Sequence, residues 1–149
     1  MSIKEINLKD LYGELNADQD LYAGSVDEDL IHDVEKNLNL LFSDEYIKFV
    51  RQYGCAIVGG FYIFGLKTLS IMGDTLNTVL SNTLFYRDQN WPGLENCYVI
   101  SDDGRGNPIY MDREGKVWLS DHDSGFETIL LADSFNEFLI KIYEDRSYD

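Results

Sequence analysis

Positively charged residues are scarce in this chain, and their scarcity narrows the choice of partner. The sequence holds 12 Lys and Arg against 27 Asp and Glu, which gives a formal net charge of -15 at pH 7. Such a surface repels phosphate backbones and anionic lipid, so we expect no direct binding to nucleic acid or to a membrane. A basic protein would be attracted instead, although an acidic surface also maintains solubility without any partner.

Cysteine is also scarce, and long apolar runs are lacking. Cys55 and Cys97 are the only cysteines, too few for a cysteine zinc site or a disulfide scaffold, and both are predicted to be reduced and buried. No stretch approaches the roughly 18 apolar residues of a membrane span, and the first residues lack the apolar core of a signal peptide. We therefore expect a cytoplasmic protein.

The chain does have enough apolar residues for a core. Of its 149 residues, 44% are hydrophobic and 13% are aromatic, which is typical of a globular protein and not of a disordered one. The length is that of one ordinary domain, so we predict a single domain over residues 1–149.

Helical spacing of apolar residues marks three segments near the start of the chain. The spacing of apolar residues over residues 3–15 predicts an amphipathic helix. Ser25 begins a capping-box pattern, which predicts a second helix running to about Asn37. Ser43 is the predicted N-cap of a third helix that ends at Gly54. The second and third helices are expected to form a hairpin.

The rest of the chain is dominated by short strand-like runs. Residues 55–66 indicate two short strands around Gly59 and Gly60, and residues 72–86 permit a helix. Four further runs, CYVIS, PIYMD, KVWLS and FETILL, predict an antiparallel meander, and Ser134 begins a capping box before a last helix. The predicted fold class is α+β, with a mostly meandering antiparallel sheet packed by the N-terminal helical hairpin and the C-terminal helix.

Two polar segments beside these strands, SDDGRGNPIYMD at 101–112 and SDHDSG at 120–125, are the candidates for a chemical site. Their aspartate, asparagine and glycine residues are typical of tight turns. The second segment fails the ligand pattern of a calcium loop, and the histidines are too far apart in sequence for a zinc motif. A metal-dependent hydrolase would have to gather side chains from both segments: Asp102, Asp103, Asp112, Asp121, His122 and Asp123. No nucleophile motif is present, so we predict no catalytic residue, no metal and no cofactor.

Acidic and aromatic residues are the candidates for partner contact. Between Asp10 and Glu35 the chain has nine carboxylates and no Lys or Arg. Tyr and Trp commonly anchor protein interfaces, and several are expected to be partly exposed: Tyr12, Tyr22, Tyr86, Trp91, Tyr110 and Trp118. The predicted partner-binding residues are charged groups at one helix start and at the turns, with two aromatic residues: Asp27, Glu28, Asp29, Asp102, Asp103, Arg105, Asp121, Asp123, Trp91 and Tyr110.

The order of these elements resembles the SUKH superfamily, which joins fungal cell-wall-synthesis regulators to bacterial immunity proteins. The resemblance covers about Ser25 to Glu144. It is carried by the helical hairpin ending in YG, the GRGN turn, the GKVW strand followed by DHD, and the closing SF helix. It implies an α+β fold without a catalytic site. We therefore predict a core over residues 25–144, preceded by a helical extension over residues 1–24.

The resemblance also implies a function. Bacterial members of the superfamily typically bind and neutralise a polymorphic toxin, often a nuclease delivered between competing cells. A non-enzymatic immunity protein is therefore expected here, with a cognate secreted toxin, basic and a nuclease, as its partner. The alternative is an intracellular scaffold or regulator that binds a protein other than a toxin, as the fungal relatives suggest.

Overall fold

A computed structural model of the protein describes residues 2–69 and 77–145. Within these ranges the chain forms five α-helices and two antiparallel sheets, the α+β class that the sequence predicts. The helices are α1 (Ile3–Ala17), α2 (Glu28–Leu38), α3 (Asp44–Tyr53), α4 (Val79–Asp88) and α5 (Phe135–Asp145). The strands are β1 (Ala56–Val58), β2 (Phe61–Ile63), β3 (Tyr98–Asp102), β4 (Pro108–Met111), β5 (Val117–Asp121) and β6 (Glu127–Ala132). None of the described helices is long and apolar enough to span a bilayer.

The start of α2 differs from the prediction. Its N-cap is Asp27 and not Ser25: the Asp27 carboxylate accepts a hydrogen bond from Leu30 N–H at 3.0 Å. Serine and aspartate are both good N-caps, so local sequence could not rank them. Tertiary contacts select Asp27 as the N-cap, because Val26 is buried and its N–H donates to a carbonyl of α3 at 2.9 Å. Within α2, Ile31 is fully buried, whereas Leu30 is exposed.

The third helix and the small hairpin after it follow the prediction. Ser43 caps α3 by accepting a hydrogen bond from Tyr46 N–H at 3.2 Å, and Gly54, with φ 75°, ends the helix. The β1–β2 hairpin turns at Gly59, where φ is 57°. A Cβ at Gly59 would collide with the backbone carbonyl of Ile142 in α5. Glycine is therefore required there by backbone conformation and by close packing.

The larger sheet is an antiparallel meander in the order β3-β4-β5-β6, as predicted. Strands β3 and β4 are buried along nearly their whole length, so both faces of the sheet are covered there. Helix α4 contacts β3, where the Thr83 hydroxyl accepts a hydrogen bond from Val99 N–H at 2.9 Å. Tyr46 of α3 contacts both Tyr98 of β3 and Phe135 of α5, with ring centroids 5.3 Å apart in each pair. Strand β6 is at one edge of this sheet, and its first four residues are exposed.

Helix α4 begins later than the sequence suggests. Residues 72–76 of the predicted helix lie outside the described residues. The observed helix starts after a capping box, in which the Thr78 and Ser81 side chains bind each other's backbone N–H groups. Asparagine and threonine have poor helix propensity, so this local capping and the contact with β3 stabilise α4.

Helix α1 packs against α5. Its Leu11 and Leu15 side chains are buried, and the Lys4 ammonium lies 2.7 Å from the Glu137 carboxylate of α5. Gly13 weakens the intrinsic helix propensity of this segment. The predicted helix nevertheless forms, because burial of its apolar side chains stabilises short helices more than propensity does.

Candidate protein-binding surface

The turn between β3 and β4 is organised by two aspartates. Asp103 accepts hydrogen bonds from the backbone N–H groups of Arg105 (2.8 Å) and Asn107 (3.2 Å) and from the Asn107 side-chain amide (2.8 Å). Asp102 accepts one from Gly104 N–H at 2.8 Å. Partial burial opposes ionisation of Asp103, but these hydrogen bonds and the Arg105 charge outweigh it and hold the pKa of its carboxyl below the usual value. The segment is a turn, as predicted.

The loop between β5 and β6 is also held by an aspartate that accepts hydrogen bonds from nearby residues. The Asp121 carboxylate accepts hydrogen bonds from Asp123 N–H (3.0 Å) and from the Ser124 hydroxyl (3.2 Å). The Asp121 carbonyl accepts one from Phe126 N–H at 2.8 Å. Gly125 and Phe126 both take left-handed conformations where the chain reverses, with φ 68° and 63°.

Asn107 joins the two loops. Its side chain is only 2% exposed and donates to Asp103 on one side. On the other side its Oδ1 accepts a hydrogen bond from His122 N–H at 3.0 Å, and His122 Nδ1 also lies against it. The two polar segments that are separate in the sequence therefore form one hydrogen-bonded unit.

Three potential metal ligands meet in this unit. Ligand atoms of Asp121, His122 and Asp123 lie within 4.8 Å of one another. Hydrogen bonds within the loop account for the arrangement, since Asp121 caps the turn and His122 Nε2 lies 3.3 Å from Asp123. Asp112, which a hydrolase would have to add, lies instead in the β4–β5 turn and accepts a hydrogen bond from the Trp118 indole at 2.9 Å.

Trp91 lies over the sheet beside the β5–β6 loop. Its indole N–H donates to the Ser120 hydroxyl of β5 at 2.7 Å. Its ring makes edge contacts with Tyr86 and Phe126, with centroids 5.0 Å apart in each pair, and the His122 ring is 5.9 Å away. Trp91 is partly exposed, so it and the loop share one surface.

The β3–β4 turn borders the same surface. Asn107 of this turn accepts a hydrogen bond from His122 N–H of the loop. Burial raises the pKa of Tyr86, and the negative charges of Asp102 and Asp103 raise it further. More than half of the predicted partner-binding residues are thus brought together around the loops and Trp91: Asp102, Asp103, Arg105, Asp121, Asp123 and Trp91.

The prediction that Tyr110 is partly exposed and binds a partner is wrong about its exposure. It lies in β4, which is covered on both faces, and it is 5% exposed, so it cannot be the exposed anchor that the sequence suggested. Burial raises the pKa of Tyr110 to about 12. Tyr86 is also buried. The other aromatic residues expected to be partly exposed are so: Tyr12, Tyr22, Trp91 and Trp118.

The remaining predicted residues, Asp27, Glu28 and Asp29, lie at the start of α2. Asp27 is the N-cap, and Glu28 forms an ion pair with Arg51 of α3 and lies 3.8 Å from His32. These carboxylates contact α3 and the first turn of their own helix, not the loops of the sheet. The predicted residues therefore belong to two separate acidic regions.

Two exposed residues of the surface were not predicted from the sequence. Phe85 on α4 is 55% exposed and contacts Tyr86, and Phe126 is 42% exposed and contacts Trp91. Phe126 looks in the sequence like the first residue of a strand. No local signal marks it, because phenylalanine rarely takes the left-handed conformation.

The fold and this surface define an α+β domain with a charged, aromatic face of the kind that contacts proteins. The model of the SMI1 / KNR4 family (SUKH-1) matches residues 25–141. This chain therefore belongs to the SMI1 / KNR4 (SUKH-1) family, which confirms the predicted resemblance. The family includes toxin-immunity proteins, and it generally consists of non-enzymatic immunity and regulatory domains, so membership implies a protein-binding role.

Solved structures agree with this fold. The chain is similar to a crystal structure of a protein from Pseudomonas syringae pv. tomato, with a TM-score of 0.66. The two share 16% sequence identity over 90% of this chain and 93% of that chain. At this identity the likeness supports the fold alone. A comparison with curated proteins found no match.

Proposed function

We propose that this chain is a non-enzymatic immunity protein, an antitoxin that binds a cognate secreted toxin and neutralises it by direct contact. The observation that carries the proposal is membership of the SMI1 / KNR4 (SUKH-1) family. We treat residues 25–144 as its core, with residues 1–24 as a helical extension, and place it in the cytoplasm, where an incoming toxin would act.

Charge supports a basic nuclease as the toxin. A nuclease needs a positive surface for its phosphate backbone substrate, and this chain carries a formal charge of -15. Carboxylates that cover such a surface would compete directly with the nucleic acid. They would also accelerate association by electrostatic steering.

The cysteines and histidines support a role without covalent catalysis. Burial raises the pKa of Cys55, and burial together with the Asp112 charge raises that of Cys97 to about 11, so both are protonated thiols at neutral pH. The His32 and His122 rings contact Glu35 and Asn107, and neither contacts a thiol.

The test begins with the gene next to the one that encodes this chain, since immunity genes normally lie beside their toxin genes. The neighbour's product is purified and titrated with this protein, and it is also expressed in cells with and without it. We expect a 1:1 complex, rescue of growth, and an association rate that falls markedly as salt rises. A complete lack of binding and of rescue would reject the proposal.

Family membership also favours a second candidate, an intracellular regulator that binds a protein other than a toxin. The same experiment separates the two. A neighbour that is not toxic to the cell, yet binds this chain, would support the regulator.

A further inference from the structure

A row of aromatic rings crosses the surface described above. We call Phe85, Tyr86, Trp91 and Phe126 the aromatic ridge. Consecutive rings are in edge contact, with centroid separations of 5.2, 5.0 and 5.0 Å. The two central rings are largely packed, whereas the Phe rings at the two ends are exposed. Large apolar side chains that stay exposed in a connected row are typical of a binding site.

Phe126 is held in a conformation that phenylalanine disfavours. The other non-glycine residues with positive φ in the described ranges are Asn39 and Asn90, with φ 56° and 55°. Asparagine tolerates that region, but a bulky side chain is an outlier there. Such strain is typically retained where the side chain has a function. An asparagine would suit this backbone conformation better, so the phenylalanine points to a role for its ring, which packs on Trp91.

The ridge is bordered by negative charge. The turn and loop beside it carry carboxylates from Asp102, Asp103, Asp121, Asp123 and Glu127, against one guanidinium, Arg105. Arg87 of α4 is adjacent in sequence but does not offset them, because its guanidinium points inward. It donates to the carbonyls of Leu38 (3.0 Å), Leu94 (3.1 Å) and Cys97 (3.1 Å).

We propose that the aromatic ridge and the carboxylates beside it bind an arginine-bearing segment of a basic partner protein. A guanidinium stacks on an aromatic face and pairs with a carboxylate in bidentate geometry, and this surface offers both groups side by side. A lysine ammonium would use the charge but gain less from the rings. The inference deepens the proposed function, on which it rests for naming the partner as a toxin.

The first test uses two synthetic peptides of equal length and charge, one of alternating arginine and glycine and one of alternating lysine and glycine. Each is titrated into the full-length protein labelled with ¹⁵N. We expect the arginine peptide to bind more tightly and to shift the Trp91 indole N–H and the amides of residues 121–127. The Trp118 indole, held by Asp112 at the opposite end of β5, is the internal reference. Equal affinity for both peptides, or shifts centred on α2, would overturn the inference.

The second test separates the ridge from the fold. Phe126→Asn removes the ring but suits the left-handed backbone, so we expect an equal or higher thermal midpoint and arginine-peptide binding weakened about tenfold or more. Phe85→Ala should weaken binding in the same direction. Leu41→Ala is the matched control, because Leu41 is an exposed apolar residue outside the ridge. Unchanged binding by the folded Phe126→Asn variant would overturn the inference.

The two proposals can fail separately. If the neighbouring gene's product binds the native protein, and binds Phe126→Asn and Phe85→Ala equally well, the ridge is not the interface and the immunity function stands. If that product neither binds nor harms cells while the arginine peptide still maps to the ridge, the toxin assignment fails and the arginine-binding surface stands.

Discussion

The two acidic regions of this protein have similar charge but different surroundings. At the start of α2, Asp27 caps the helix and Glu28 pairs with Arg51, while Glu35 further along the helix is buried. Around the β5–β6 loop, Asp103 and Asp121 also accept backbone hydrogen bonds, but the carboxylates there lie beside a connected row of aromatic rings with exposed ends.

This difference teaches that charge alone does not mark an interface. In both regions, carboxylates that accept backbone hydrogen bonds or pair within the chain contribute to the folded structure. An interface needs, in addition, apolar side chains that anchor the partner, and the loop region offers a connected row of aromatic rings for this purpose. Substitutions in the two regions should therefore have opposite consequences for stability and binding.

The largest effect on stability is expected at Glu35 of α2. Its carboxylate accepts hydrogen bonds from Phe42 N–H at 2.8 Å and from the His32 ring at 3.1 Å. Glu35→Ala leaves the Phe42 N–H buried without a partner and should lower the free energy of unfolding by about 2–3 kcal/mol in urea denaturation. Glu35→Gln should recover part of the loss, and Asp33→Ala, on the exposed side of the helix, should cost under about 0.5 kcal/mol. A loss equally small for Glu35→Ala would contradict this.

A smaller effect is expected at Asp103, with a defined pH dependence. Asp103→Ala removes three hydrogen bonds from the β3–β4 turn and should cost about 1–2 kcal/mol of unfolding free energy at pH 7. The folded pKa lies below the ordinary value of about 3.9, so the unfolded chain binds the proton more tightly. The stabilisation is therefore complete above that value and is lost as the pH falls through the folded pKa. Urea titrations of both proteins from pH 7 to 3 should converge; curves that stay parallel would refute the assignment.

The next largest loss of stability is expected at Asp27, the N-cap of α2. Asp27→Ala should lower the free energy of unfolding by about 1 kcal/mol, because Leu30 N–H loses its acceptor. Ser25→Ala should change it little, since Ser25 is exposed and does not cap the helix. The reverse ranking in thermal or urea unfolding would show that the helix starts at Ser25 after all.

The two substitutions expected to change stability least should differ most clearly in their effect on binding. Asp29 and Asp123 are both exposed, so Asp29→Asn and Asp123→Asn should each change the unfolding free energy by less than about 0.5 kcal/mol. In titrations with the arginine–glycine peptide, Asp123→Asn should weaken binding and Asp29→Asn should not. Equal losses would mean that the two acidic regions act alike.

Much of the fold could be predicted from local sequence. Apolar spacing predicted α1, α3 and α5, and the four runs separated by turn residues predicted the order of the meander. These predictions succeeded because the periodicity of a helix or strand depends on a few adjacent residues. The choice between Ser25 and Asp27 failed because both satisfy the same local rule, and the burial of Val26 decided between them.

The candidate site could be predicted only in part. Aspartates and glycines identified both loops as turns, since turn chemistry is local. That the loops meet through Asn107 was not predictable, because the contact joins residues 15 positions apart in two different loops. Nor did the sequence separate Trp91, which is partly exposed, from Tyr110, which is buried in a strand covered on both faces.

The sequence by itself determined most of the secondary structure, the acidity and, through the resemblance that the family match confirmed, the class of protein. Only the tertiary structure decided which acids are part of the folded core and which border exposed rings. The physical reason is that composition fixes the charge of a chain, whereas burial and contact depend on which distant segments the fold brings together.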